Sequence, residues 1–353
     1  MTRIVEIHRR QLAQTRVIEE AQTALAEGEV QLVVRRFALT ANNVTLAMFG
    51  HSYRYWDFFP SGDPEWGRVP VWGYAEVESS AHPALSRGDA LYGFLPMAQS
   101  VRLRPDRVGA KRLVDAAVHR ADLPAVYQSY ARVPCSEIDA EPCLRPLLHP
   151  LALTAFLLAL RIDELDPTGQ RPVVFTSASS KTALATALLC RRAARGQQRR
   201  LIGLSSPQNT AFVAARALFD TADAYGAALA GVDAGAIVID FAGNAGHVAS
   251  LATQLGSSAR LLQIGMTDWR AAGASHGMPA EVFFAPSEAL RWIKTWGVAE
   301  YEQRFAAAWQ AILDFAQPWI QLHEAEGAAA MVEGWSALLA GRVAPDRGLL
   351  YRW

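Results

Sequence analysis

Two textures of apolar and polar residues divide the chain. Up to about residue 100, short β-rich runs are punctuated by Gly and Pro. Residues 31–37, 71–77, 90–94 and 101–103 are the strand candidates, the third following the turn signal Arg87-Gly88-Asp89. Such a series predicts a small barrel rather than a helical bundle. From about residue 146, near-continuous apolar runs at 172–176, 200–204, 235–240 and 260–265 alternate with helical stretches at 182–194, 210–219 and 247–255. A short element falls near 222–225. Strands apolar along their whole length belong in a parallel sheet covered on both faces. The pattern therefore predicts a doubly wound α/β unit over residues 146–280, closed by the 260–265 strand. After 281 the alternation stops. Helices are expected at 286–296, at 300–317 with Pro318 as its stop, and at 328–340, and the tail from Gly348 forms a last strand.

Composition narrows the function classes. The 353 residues are 51% hydrophobic, enough for two cores. Lys+Arg and Asp+Glu are both 34, a balance that lacks the basic footprint of a nucleic-acid binder. The pairs Arg191-Arg192 and Arg199-Arg200 read as a solvated helix face. Three widely spaced cysteines, Cys135, Cys143 and Cys190, imply neither a disulfide framework nor a four-thiolate zinc site. The first eight residues lack the apolar core of a signal peptide. The most apolar stretch, 147–162, is shorter than the roughly 20 residues of a membrane span and reads as a buried helix. A reducing cytoplasmic setting is the resulting expectation, with no membrane or nucleic-acid partner.

Ligands of open α/β sheets bind beyond the carboxyl ends of the strands. The first such loop is Ser177-Ala178-Ser179-Ser180-Lys181-Thr182-Ala183. A dinucleotide loop needs small residues for close approach to the diphosphate and a helix N-terminus to donate N–H groups. Ser and Ala partly meet the size demand, and Ser179 or Ser180 suits an N-cap. The usual glycines are missing. A plain capped turn and a degenerate nucleoside-triphosphate loop around Lys181-Thr182 stay open as alternatives. The second α/β strand ends at Leu204-Ser205-Ser206 without the acid that commonly holds the ribose of NAD. Ser205, Ser206 and Asn209 are donors suited to a 2′-phosphate, which favours NADP(H), and Tyr225 lies near the end of the third strand.

The whole pattern resembles the medium-chain dehydrogenase/reductase superfamily on its zinc-independent, quinone-oxidoreductase-like side, and a branch catalogued as a domain of unknown function. Four segments carry the resemblance over nearly the whole chain. They are Phe37 to Asn43; Pro70 to Val77 with Arg87 to Gly93; 172–194; and Ile237 to Gly243 followed by Leu261 to Gly265. It implies a Rossmann-type doubly wound parallel sheet domain (146–280) inserted in a GroES-like, partly β-barrel catalytic domain (1–145 plus 281–353). It implies NADP(H) bound by Ser179, Ser180, Lys181, Thr182, Ser205, Ser206, Asn209 and Tyr225, with backbone at Gly243 and Gly265 lining the nicotinamide pocket. The chain departs from its relatives in reading Ser180-Lys181-Thr182-Ala183 for Gly-Gly-x-Gly. It also has Gly73-Tyr74-Ala75 where zinc-dependent relatives have Gly-His-Glu, and Cys135 and Cys143 read as inert, so no metal is expected. A homodimer formed through the sheet edge near Phe283 to Ser287 is a further implication.

The most unusual segment runs from Phe49 to Pro60 and packs seven ring-bearing residues into the eleven positions 49–59, beside Arg54 and Asp57. Flat apolar walls with polar tips suit a planar conjugated substrate. An alternative is that the aromatics only pack the loop. In the resembling fold this loop faces the nicotinamide. Hydride transfer without zinc needs a hydroxyl or amide donor for the substrate oxygen. Tyr53 is the first choice, with Tyr55, Asn43 and His51 as alternates. Tyr127, Gln128 and Tyr130 are candidates to line the cleft. The function expected is NADPH-dependent reduction of an activated C=C or quinone- or enone-type carbonyl. The alternative is a non-catalytic relative that binds a nucleotide or an aromatic ligand.

Overall fold

The computed structural model describes residues 1–193, 199–229, 231–232, 235–241, 243–264 and 277–353. They form two compact units, Met1–Leu147 with Trp319–Trp353, and Leu148–Pro318.

The second unit is built on a six-stranded sheet in which every pairing is parallel. In chain order its strands are Val173–Phe175, Leu201–Ser205, Thr221–Ala224, Ile237–Asp240, Arg260–Ile264 and Ala280–Phe283. Their spatial order is 3-2-1-4-5-6. The order reverses between the first and fourth strands, and this is the switch point at which ligands of such sheets bind. The run of fully buried residues Val173, Val174, Phe175, Ile237, Val238 and Ile239 explains why the sequence lacks alternation here. Helix Ala245–Leu255 packs Val248, Leu251 and Leu255 onto Val174, Val238 and Leu261. Ala152, Ala155 and Ala185 form a further small core with Ile312, where short side chains allow three helices to approach.

Four expectations need correction. The sheet does not close at the 260–265 strand, because Ala280–Phe283 adds a sixth, in register Leu261↔Ala280 to Ile264↔Phe283. Consequently the unit does not end at 280 but continues to Pro318. Helices Ala285–Trp296 and Val298–Ala316 belong to it, with Trp296, Tyr301 and Phe305 ringed around Phe156. The sixth strand escaped the reading because an edge strand needs few apolar residues: Val282 is 43% exposed and Ala280 is exposed. The helix expected at 210–219 stops at Ala214, with Ala217 in the left-handed region. Helix Arg145–Leu165, at 21 residues, exceeds the expected 147–162 and is long and apolar enough to cross a membrane by length and composition. Most of that apolar window is buried inside the fold, as in a core helix.

The first unit holds a nine-stranded sheet and a three-stranded sheet. Val30–Leu39 is central to the larger one, pairing antiparallel with Pro70–Ser80, Ser100–Leu103 and the C-terminal Arg347–Arg352. Its Val30, Leu32 and Val34 enter a core that also takes Met331 and Trp335 from helix Gly327–Leu339. Gly93 is required where it stands, since a Cβ there would fall 2.3 Å from the buried ring of Tyr130. Strands Thr2–His8, Thr15–Glu20 and Gln321–Glu326 were not expected. Gln321–Glu326 is mostly exposed and owes its conformation to parallel pairing with Arg347–Arg352.

Candidate functional site

The switch point is tied by side chains. Thr176, fully buried, directly follows the first strand and donates from Oγ1 to Asp240 Oδ1 of the fourth strand at 2.7 Å. The same hydroxyl accepts the Phe241 N–H (2.9 Å), and the Asp240 carboxylate accepts the Gly243 N–H (3.3 Å). Gly243 adopts φ +62°, a conformation glycine takes at little steric cost. Gly265 lies outside the described residues.

The loop that follows turns at Ser177, whose φ is +46°. Such a backbone costs a non-glycine residue about 1–2 kcal/mol. The Tyr225 hydroxyl offsets it by accepting the Ser177 N–H at 2.8 Å, with Ser177 Oγ a further 3.2 Å contact. The Tyr225 ring is in turn stacked on His247, centroids 3.9 Å apart and planes at 11°. Ala178 then drops onto the second strand, its N–H donating to the Leu204 carbonyl at 2.9 Å. A Cβ on Gly203 would sit 3.0 Å from both the Ala178 Cβ and the Phe219 ring. A glycine in the neighbouring strand permits this close approach, while the loop itself carries none.

Ser179 Oγ accepts from Ser205 Oγ (3.0 Å) and from Asn209 Nδ2 (3.3 Å), which turns its own O–H outward as a donor. Ser180 is the N-cap of helix Lys181–Arg192, its Oγ accepting the Ala183 N–H at 3.2 Å. Lys181 and Thr182 occupy the first helical positions. Among the described residues, the N–H groups of Ser179 and Thr182 have no partner. Ser206 caps the short turn Pro207–Asn209 without a side-chain bond. The structure thus gathers Ser179, Ser205 and Asn209, and joins Tyr225 to the same loop through Ser177. Free N–H donors at a helix start, among side chains that are small apart from Lys181, fit the diphosphate of a dinucleotide. The loop glycines are not essential to that fit, because Ser177 already takes the left-handed turn.

In the first unit the aromatic segment forms its own cluster. Trp56 is buried against Gly50 and Gly67, where a Cβ would lie within 2.0 Å and 2.3 Å of the indole. Phe58 and Phe59 are buried as well. Tyr53 remains half-buried, 6.3 Å from Tyr55 and 5.6 Å from Phe49 by ring centroids. The Tyr55 hydroxyl meets that of Tyr127 at 3.4 Å. Burial holds the Tyr55 hydroxyl far above its ordinary pKa and raises that of Tyr127 too, so both stay protonated. His51 is exposed. Trp72, Phe94 and Tyr127 extend the cluster as a wall of rings.

Other candidates have structural tasks. Asn43 is the third residue of helix Ala41–Met48, where Oδ1 accepts the Thr40 N–H (2.7 Å) and Nδ2 donates to the Pro70 carbonyl (2.8 Å). Its amide is therefore committed at both ends. Gln128 is buried and donates to the carbonyls of Arg120 and Leu123. The Tyr130 hydroxyl, also buried, lies between Arg120 and the Phe94 carbonyl. Sequence reasoning missed Ser177, Thr176 and Asp240 as a group. The signal was a Thr and an Asp ending two strands that flank a switch point. Cys143 and Cys190 are buried while Cys135 is exposed.

The structure matches solved proteins along its whole length. A putative NADPH:quinone reductase from Bacillus thuringiensis has a TM-score of 0.58 at 15% identity, covering 100% of this chain and 99% of the other. CurA from Vibrio vulnificus, in complex with NADPH, has a TM-score of 0.61 at 13% identity, covering 99% and 98%. A mutant form of enoyl thioester reductase from Candida tropicalis has a TM-score of 0.56 at 12% identity, covering 100% and 99%. No curated protein matches the sequence. These similarities show that the chain shares the fold of these solved proteins. Residues 37–344 match the model of the family described as "Protein of unknown function (DUF2855)", and the chain belongs to that family.

Proposed function

We propose that the protein is an NADPH-dependent reductase of an activated carbon–carbon double bond or of a quinone- or enone-type carbonyl, working without zinc. The observation that carries this reading is the cradle of outward donors around Ser179, with Ser177 held left-handed and no carboxylate at the end of the second strand. The N–H groups of Ser179 and Thr182 hold the diphosphate at the helix start. The Ser206 hydroxyl and the second N–H of the Asn209 amide donate to a 2′-phosphate, which meets no repulsion from an acid at that place, while the Ser205 hydroxyl is given to Ser179 Oγ. Bound there, the nicotinamide supplies a hydride. Tyr53, half-buried and carrying a hydroxyl, donates to the substrate oxygen, and the rings of Tyr55, Tyr127 and Trp72 favour a planar conjugated substrate. The NADPH complex and the quinone and enoyl thioester reductases of the same fold support this reading.

Titration with NADPH and NADH, read by energy transfer from the ten tryptophans to the nicotinamide, tests it. NADPH is expected to bind, more tightly than NADH, and to be oxidised to NADP+ when an enone or quinone is present as acceptor. Absence of binding at millimolar cofactor overturns the proposal. Tight binding without turnover on a broad acceptor panel favours the non-catalytic alternative.

A further inference from the structure

The parallel sheet of the second unit carries arginines at the amino ends of its strands. Arg171 stands just ahead of the first strand, Arg200 ahead of the second, and Arg260 opens the fifth. Backbone bonds set these strand heads side by side. The Val173 N–H donates to the Arg200 carbonyl (2.8 Å), the Ile237 N–H to that of Pro172 (2.9 Å) and the Arg260 N–H to that of Ala236 (2.9 Å). A recess of about 580 Å³ opens here, lined by Asp166, Thr168, Gln170, Arg171, Arg200 and Gly235 among others. The reductase reading leaves it unused, since ligands of such sheets sit at the carboxyl ends.

The charge around this recess is not balanced. Arg171 Nε donates to the Gly235 carbonyl, and Nη1 and Nη2 reach the carbonyls of Leu165 and Ser258, both at 3.5 Å. Carbonyls fix a guanidinium in place without neutralising it. Among the described residues neither Arg171 nor Arg260 has an ion pair, and Arg260 is exposed. Burial and the charge of Arg260 push the Arg171 pKa below its ordinary value, against the pull of Asp166. The Asp166 carboxylate is already engaged, by Thr168 Oγ1 (2.8 Å), the Arg171 N–H (3.0 Å) and the buried Arg199 guanidinium (3.5 Å). Asp220, the acid beside Arg200, is held by Arg191 at 2.7 Å. The exposed Gln170 amide makes no hydrogen bond and adds a neutral donor to the lining. A doubly charged anion compensates guanidiniums gathered in this way, and a guanidinium in fixed geometry suits phosphate oxygens.

We propose that this recess binds the phosphate dianion of a small phosphomonoester. Arg171 contacts the phosphate, and Arg200 and Arg260 supply the surrounding positive charge. The volume leaves room beyond the phosphate for a body the size of a sugar. The inference does not depend on the redox reading.

The test titrates the full chain with ribose 5-phosphate, inorganic phosphate and ribose by isothermal calorimetry. Ribose 5-phosphate is expected to bind more tightly than inorganic phosphate, and ribose not to bind. Arg171→Gln should weaken the ester about tenfold. Arg260→Gln should weaken it about threefold, and this variant has no side-chain partner to lose, so it decides the matter if Arg171→Gln does not fold. Ser179→Asp, which repels phosphate from the loop at the opposite end of the sheet, should change nothing. The proposal is overturned if the ester fails to bind the wild type at millimolar concentration, or if ribose or inorganic phosphate binds as tightly as the ester. Unchanged binding in folded Arg171→Gln, or in Arg260→Gln where the first variant does not fold, overturns it too, as does loss of binding in Ser179→Asp.

Discussion

Tyr225→Phe isolates the contact that shapes the loop after the first strand of the parallel sheet, where NADPH is proposed to bind. The ring and its stack on His247 are kept, and only the hydroxyl that accepts the Ser177 N–H at 2.8 Å is lost. A net hydrogen bond of this kind contributes about 0.5–1.5 kcal/mol. The left-handed backbone at Ser177, with φ +46°, costs about 1–2 kcal/mol, so the two are closely balanced. Without the hydroxyl, Ser177 relaxes toward an extended conformation and the loop leaves its donor geometry. At about 1.4 kcal/mol per tenfold, the dissociation constant for NADPH should rise about 2- to 12-fold. Adding Ser177→Gly to the variant should restore most of the loss, because glycine takes this φ without strain. Tryptophan-to-nicotinamide energy transfer measures the affinity, and thermal melts without cofactor measure the loop's share of stability. An unchanged affinity in Tyr225→Phe, or a further loss on adding Ser177→Gly, would refute the reasoning.

Further outcomes are expected. Gly203→Val forces Ala178 off the second strand, so it should destabilise by about 1–3 kcal/mol and weaken NADPH binding, seen by denaturant titration and by energy transfer. Gly50→Ala places a methyl into the buried Trp56 indole and should lower stability by about 3 kcal/mol, read as a fall in Tm. Tyr53→Phe should leave the NADPH dissociation constant unchanged and reduce kcat by about 100-fold, since general acid help contributes on that order. Burial pushes the thiols of Cys143 and Cys190 up to about 11 and about 12, so at pH 8 a mild alkylating agent should modify Cys135 alone in the native protein, by intact mass. Because both folded values are raised, their contribution to stability is complete below pH 9.0, the ordinary thiol value, and is lost as the pH climbs through 11 to 12, which denaturation at a series of pH values checks.

The sequence by itself determined the parallel sheet, its first five strands, a helix cap at Ser179 or Ser180 and the small-residue loop. These features are written in local chemistry, as apolar runs for doubly covered strands and Ser before a helical stretch. It also showed, through two serines and an asparagine, that the second strand ends without an acid. Only the tertiary structure decided the rest. Ala280–Phe283 is a strand because a neighbour's backbone pairs with it, and its own side chains hardly announce it. Ser177 takes a glycine's conformation because a tyrosine 48 residues away accepts its N–H. Asn43 and Gln128 offer the chemistry of donors, but their amides are spent on carbonyls that only folding brings near. The division has one physical cause. Burial periodicity and capping act between neighbours in the chain, whereas hydrogen-bond satisfaction and close approach depend on groups that are distant in sequence and adjacent only once the core has formed.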